Sequence, residues 1–161
     1  MTAFVANQYT VRERAMVALK TIFDTQTAVE PSVDPYGFAW DLVLRSPLKD
    51  WAFKKQRSLG IFDMHESKVD RTSLKECTLR IALEIHLVIQ SDENPSVEMN
   101  ALFGSIQRRI QEDYSLGGLV IDIQEVSNDL QLDDVNNKYV VGVMFLNMKY
   151  RHSLRDPRQL V

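Results

Sequence analysis

Only one cysteine, Cys77, occurs in the 161 residues. An intrachain disulfide is therefore excluded, which fits a reducing compartment. Cys77 sits in an apolar run, where a lone cysteine behaves as a small core residue. A catalytic thiol would need a histidine and an orienting group beside it, and nothing local supplies them. Glycine and proline are also scarce, six and five residues, so the chain is neither collagen-like nor a low-complexity linker. No stretch approaches the roughly 20 apolar residues that a membrane-spanning helix requires. The first ten residues lack the basic segment and apolar stretch of a secretory leader. The expectation is a soluble protein, made in the cytoplasm, that reaches any extracellular particle by assembly. Positive charge is not in excess either: the net charge is −3, so no overall basic field exists to hold nucleic acid.

Signatures of catalysis and metal binding are missing as well. His65, His86 and His152 form no close-spaced pair, and neither the zinc-protease nor the paired-cysteine spacing occurs. The acidic stretch from Asn128 to Asn137, with Asp133 and Asp134, lacks the central glycine and terminal glutamate of a calcium loop. Gly117 and Gly118 follow a helical pattern rather than precede one; they stop a helix and do not cradle a phosphate. No nucleophile elbow, phosphate-binding loop or dinucleotide fingerprint is present. No catalytic residue, cofactor or metal is therefore expected.

What is present is the composition of an ordinary folded domain, 45% hydrophobic and 25% charged. The length suits one domain spanning residues 1–161, large enough to bury a core without covalent staples. Thr10 with Glu13 predicts a capped helix start. Val11, Ala15, Ala18, Leu19, Ile22 and Phe23 recur at helical spacing as far as 27–29. Residues 38–44 and 59–66 read as short strands, the second weakened by Gly60. From 77 to 89 every second residue is apolar: Cys77, Leu79, Ile81, Leu83, Ile85, Leu87 and Ile89. That period over that length is a strand with one buried face.

Asn94 and Pro95 predict a second helix start, with Met99, Leu102, Phe103, Ile106 and Ile110 as its apolar stripe. A strand is expected over 119–126, a polar loop over 127–138, and a long last strand over 139–151. The tail, about 153–161, is expected to be flexible. The fold class is α/β of the α+β kind. It has one mixed, mostly antiparallel sheet, two helices packed on one face, and a long hairpin or loop arm at about 46–57.

Core packing leaves a few features unexplained. The arm carries Lys49, Lys54, Lys55 and Arg57 around Trp51 and Phe53. Cations interleaved with aromatics suit either base stacking or a protein interface, and the absence of a net positive field favours the interface. Arg80, Glu84 and His86 share the polar face of the long strand. An acid–base pair is conceivable there, although cross-strand polar contacts account for the same residues. Arg151 and Arg155 lie in the basic C-terminal segment and are read, like the arm, as interface residues. Over-long strands and a basic arm suit strand addition and subunit contact, so a homo-oligomer is expected.

Two stretches carry a family resemblance: Ile106-Gln-Arg-Arg-Ile-Gln-Glu-Asp-Tyr-Ser-Leu-Gly-Gly-Leu-Val120 and Tyr139-Val-Val-Gly-Val-Met-Phe-Leu-Asn-Met-Lys-Tyr-Arg-His152. A helix running into Leu-Gly-Gly-Leu-Val, then a strand, then a strand closing on Tyr-Arg-His resembles the tail terminator (tail completion) proteins of long, non-contractile-tailed phages. The resemblance covers about 95–152. It implies a hexameric ring at the head-proximal end of the tail tube that ends tube polymerisation. It also implies partners in the tail tube protein and a head-completion or stopper protein, with DNA passing through the lumen, no membrane and no cofactor. Another head–tail joining or minor tail protein, a nucleic-acid module using the arm, and a small enzyme using Glu84 and His86 are the alternatives.

Overall fold

A computed structural model describes residues 8–28, 37–47, 56–89, 94–134 and 139–161. The elements in chain order are α1 (Val11–Asp24), β1 (Leu42–Arg45), β2 (Arg57–Asp70), β3 (Leu74–Val88), α2 (Pro95–Glu112), β4 (Asp122–Asp134) and β5 (Tyr139–Ser153). The five strands form one sheet in the order β1-β2-β3-β5-β4. Only β1 and β2 pair in parallel; the other three pairings are antiparallel. This is the expected fold class.

The alternating run forms β3, and all of its odd-numbered apolar residues from Cys77 to Leu87 are buried. Strand β5 pairs with β3 from Leu74↔Ser153 to Val88↔Tyr139 without interruption. Met144, Leu146, Met148 and Tyr150 therefore stand on the same side as Leu83, Ile81, Leu79 and Cys77, and they too are buried. Both helices cover this side. Gly142 marks the closest approach: an added Cβ would lie 2.6 Å from Met99 Sδ and 2.9 Å from Phe103 Cζ. The helices are tied to each other by Gln26 Nε2 donating to Ser105 Oγ at 2.7 Å. Arg109 Nε donates to Ile22 O at 2.8 Å, satisfying a carbonyl that the end of α1 leaves open.

Helix starts follow the sequence. Thr10 accepts from Glu13 N, and Asn94 accepts from Ser96 N with Pro95 at the first position. Only half of the expected capping box forms at α1, because the Glu13 carboxylate accepts from Arg45. Helix α1 stops at Asp24, three residues before the expected 27–29. After α2, Leu116, Gly117 and Gly118 all adopt positive φ, at 49°, 68° and 86°. Asp113 accepts from Gly117 N within this turn, and glycine is what such backbone favours.

Three boundaries differ from expectation. Strand β1 is only Leu42–Arg45. Strand β2 is far longer than 59–66, because it forms a hairpin with β3. Residues 127–134, expected as loop, continue β4. The strand-helix-strand unit β3-α2-β4 does not place its strands side by side, since β5 is inserted between them. Two bulges explain the missed strand: extra residues between Glu125 and Ser127 and between Gln131 and Asp134 break the period of two. The C-terminal tail, expected to be flexible, is drawn back onto α1. Val11 N donates to Pro157 O at 2.9 Å and Arg14 Nη2 to Arg158 O at 2.7 Å.

Gly142→Val should cost about 1–3 kcal/mol of stability by overpacking. Gly142→Ala should cost less, because the nearest atom is the movable end of Met99. Urea unfolding of the two variants against wild type checks the order.

Candidate functional site

Three surfaces are positioned by this sheet: the face without helices, the two sheet edges, and a groove beside α2. The helix-free face holds the even-numbered residues of β3 and, by register, the odd-numbered residues of β5. Arg80 is exposed, with its guanidinium 4.8 Å from the Phe145 ring centroid. That geometry is a cation–π contact. Glu84 and His86 do come together there. His86 Nε2 is bonded to Glu84 and Nδ1 to the Tyr139 hydroxyl. Both ring nitrogens are thus engaged by protein groups, so the pair reads as a surface polar cluster. Ser58 stands directly across from His86 in register. Its hydroxyl is buried and has no hydrogen-bond partner among the described residues. Arg151 lies opposite Glu76 and donates to it from Nε and Nη2 at 3.2 and 3.0 Å.

Of the arm residues, Lys49, Trp51, Phe53, Lys54 and Lys55 lie outside the described residues. Arg57 begins β2, and its guanidinium lies 4.7 Å from the Phe38 ring centroid. Arg155 is exposed, beyond the end of β5. The named site residues therefore do not converge on one point. Arg80, Glu84, His86 and Arg151 share the helix-free face, while Arg57 and Arg155 sit elsewhere.

Both sheet edges are open among the described residues. Strand β1 covers β2 only from Ser58 to Ile61, so residues 62–70 have a bare outer edge. Strand β4 is the other edge along its whole length. Residues 124–129 are all exposed. Asp122, Glu125 and Asp129 lie along this edge, and the hydrogen bonds to Asp122 and Glu125 come from the neutral amides of Gln124, Gln107 and Asn128.

Between α2 and β4 runs a groove of ≈ 220 Å³. Ile110, Ile123, Met144 and Leu146 lie beneath it in the buried core, and its exposed side chains are Gln107, Gln111 and Glu125, with Gln107 Nε2 donating to Glu125 at 2.6 Å. It lies on the flank of α2 away from α1, which contacts Ser105 and Arg109 on the other side.

A charge cluster on the helix side went unread in the sequence. Arg45 donates to Asp63 from Nε and Nη2 at 3.3 and 3.0 Å and to Glu13 from Nη1 at 2.6 Å. Arg12 reaches Asp63 at 3.2 Å and Glu66 at 3.5 Å. Glu66 also accepts from Lys68 at 3.0 Å and from the Tyr150 hydroxyl. Burial by itself pushes the Glu66 carboxyl upward. The Tyr150 hydrogen bond, then Lys68 and then Arg12, outweigh burial and hold it below the ordinary carboxylate value. Burial followed by the Glu66 contact pushes the Tyr150 hydroxyl well up. The cluster depends on one bulge in β2: Asp63 faces Ile81, but Glu66 faces Leu79, so one extra residue intervenes. The sequence signal was the break in alternation near Met64, which has no meaning until β3 is known to be the neighbour.

No protein-family model matches the chain, and no curated protein matches it significantly. Among solved structures it is similar to the cryo-EM structure of the sheath/tube terminator, in the extended state, of the PVC extracellular contractile injection system. The TM-score is 0.38 with 10% identity, over 89% of this chain and 57% of that one. The chain thus spans little more than half the length of that structure. A likeness of this size supplies no residue correspondences. No helix among the described residues is long and apolar enough to cross a membrane.

Because the Glu66 carboxyl is held low, its contribution to stability is complete above its unfolded value and is lost as pH falls through its folded one. The melting temperature should therefore drop below about pH 4.5, the ordinary carboxyl value. Glu66→Gln should start lower at neutral pH and lose part of that acid-side slope. Thermal melts from pH 7 to pH 3 on both proteins check this.

Proposed function

We propose that this chain is a structural subunit of a phage tail: a tail-terminator-like protein of a long, non-contractile tail. In this reading six copies form a ring on the head-proximal end of the tail tube. The ring ends tube polymerisation and presents its other surface to a head-completion or stopper protein. DNA passes through the lumen, and the mature location is the virion.

The observation that carries the reading is the sheet whose two edges are unpaired among the described residues. Each edge presents a row of unpaired backbone donors and acceptors, which folded proteins normally cover. Residues 62–70 and β4 are long enough for such pairing to matter. A contact that joins one edge region to a different region of the next copy is head-to-tail, and it makes a ring when the rotation closes. The resembling stretches support the reading further, since they fall on the end of α2 with its Leu-Gly-Gly turn, and on β5. The mechanism is steric. A ring whose lower surface matches the tube end, and whose upper surface does not, blocks the next tube ring.

Particles assembled without this chain should carry tubes of uncontrolled length, seen by negative-stain imaging, and adding the chain should restore one length. Tubes of normal length in its absence would remove the basis of the reading. In the same assay Trp51→Ala should abolish length control while leaving the unfolding transition of the isolated chain within about 0.5 kcal/mol. Unfolding of the isolated domain by that substitution would count against the arm as an assembly element.

A further inference from the structure

We propose that a cationic patch on the helix-free face, centred on Arg80 and Lys149, receives the acidic β4 edge of a neighbouring copy of this chain. The inference rests on the self-assembly reading above and names two surfaces that meet.

Register builds the patch. Arg80 stands opposite Asn147 and Thr78 opposite Lys149. Arg80 and Lys149 are therefore diagonal neighbours on one face, about 7–8 Å apart. Both are exposed, and neither is ion-paired among the described residues. Arg80 is held over the Phe145 ring at 4.8 Å, which fixes where its charge sits. Arg151, the next residue of β5 on this face, donates to Glu76 at 3.0 Å. Arg71 comes within 4.0 Å of the same carboxylate from the hairpin turn. Asp122 stands opposite Lys149 and accepts from the Gln124 amide. Four cations thus share this end of the face with two carboxylates. Toward the other end the register places Glu84 and Asp129, with no lysine or arginine.

The same chain carries the complementary surface. Residues 122–134 hold five carboxylates and no basic residue. Glu125 is bonded only by the neutral amides of Gln107 and Asn128. The bulge between Glu125 and Ser127 leaves Val126 48% exposed. An apolar side chain flanked by Glu125 and Asp129 matches an aromatic ring flanked by Arg80 and Lys149. Apolar contact inside a charged rim is the usual anatomy of a protein interface, and opposed charges fix its register. Within one copy Arg80 and Lys149 pair with none of these carboxylates, so a contact that joins them is made between copies. Patch and edge are different surfaces, so the contact is head-to-tail. Duplex DNA laid along the face would also meet Glu84 and Asp129, whereas a single strand edge covers the cationic end alone.

The test uses the full-length chain with two charge reversals, Arg80→Glu and Glu125→Arg. Native mass spectrometry of the free chain and imaging of tube ends count the subunits. For each variant alone, the concentration needed for assembly should rise about tenfold or more. An equimolar mixture should restore assembly, because every contact between the two variants joins opposite charges. Lys149→Glu with Asp129→Arg repeats the test at the second pair, and circular dichroism confirms that each variant is folded. Variants that assemble like wild type, or mixtures that stay apart, overturn the proposal. Loss of binding to a short DNA duplex in Arg80→Glu, with assembly intact, also overturns it and assigns the patch to nucleic acid. A wild-type chain that stays monomeric, free and on tubes, removes the self-assembly reading and this contact with it. Rings that ignore the reversals remove the contact alone.

Discussion

Burial of one face of β3 is the constraint on which the rest of the molecule depends. Its odd-numbered residues from Cys77 to Leu87 are almost wholly removed from water. Each such side chain contributes on the order of 1.5–3 kcal/mol relative to exposure. A one-residue slip would turn all of them to the other face, so the registers of β2 and β5 are fixed by this strand. The positions of both helices follow, because their apolar stripes pack on that face. Gly142 shows how tightly: α2 lies so close to β5 there that Met99 and Phe103 occupy the space of a side chain.

The bulge in β2 is the second determinant. It lets Asp63 and Glu66 both stand on the helix side, where regular alternation would have turned Glu66 outward. Two arginines, a lysine and a tyrosyl hydroxyl then converge on the two carboxylates. Burying a carboxylate is costly unless it is paired and hydrogen-bonded, and here it is both. The cluster joins α1 through Arg12 and Glu13, β1 through Arg45, and the β2–β3 hairpin. With the tail seated on Val11 and Arg14, it holds the start of α1 from two sides.

These internal commitments leave the outward surfaces uncommitted. On the helix-free face several polar groups are satisfied by one another, as in His86 with Glu84 and Tyr139, and Arg151 with Glu76. Among the described residues, the sheet edges and the polar rim of the α2–β4 groove offer backbone groups and charge to a partner. This division suits a part that is rigid by itself and completed by assembly.

The sequence by itself determined what depends on near neighbours. It gave both helix starts, through the Thr10 and Asn94 caps. It gave the α2 stripe, the buried face of β3, and the membership of Arg80, Glu84 and His86 in the opposite face. Local spacing encodes those features directly. It did not reveal β4 beyond residue 126, the length of β2, or the cluster around Glu66. Bulges break the period of two in both strands, and an edge strand exposed on both faces has no apolar pattern to read. Only the tertiary structure decided that β5 lies between β3 and β4, that the tail returns to α1, and that a groove opens beyond α2. Each of these depends on pairing between residues far apart in the chain, where the free energy belongs to the contact and not to either segment alone.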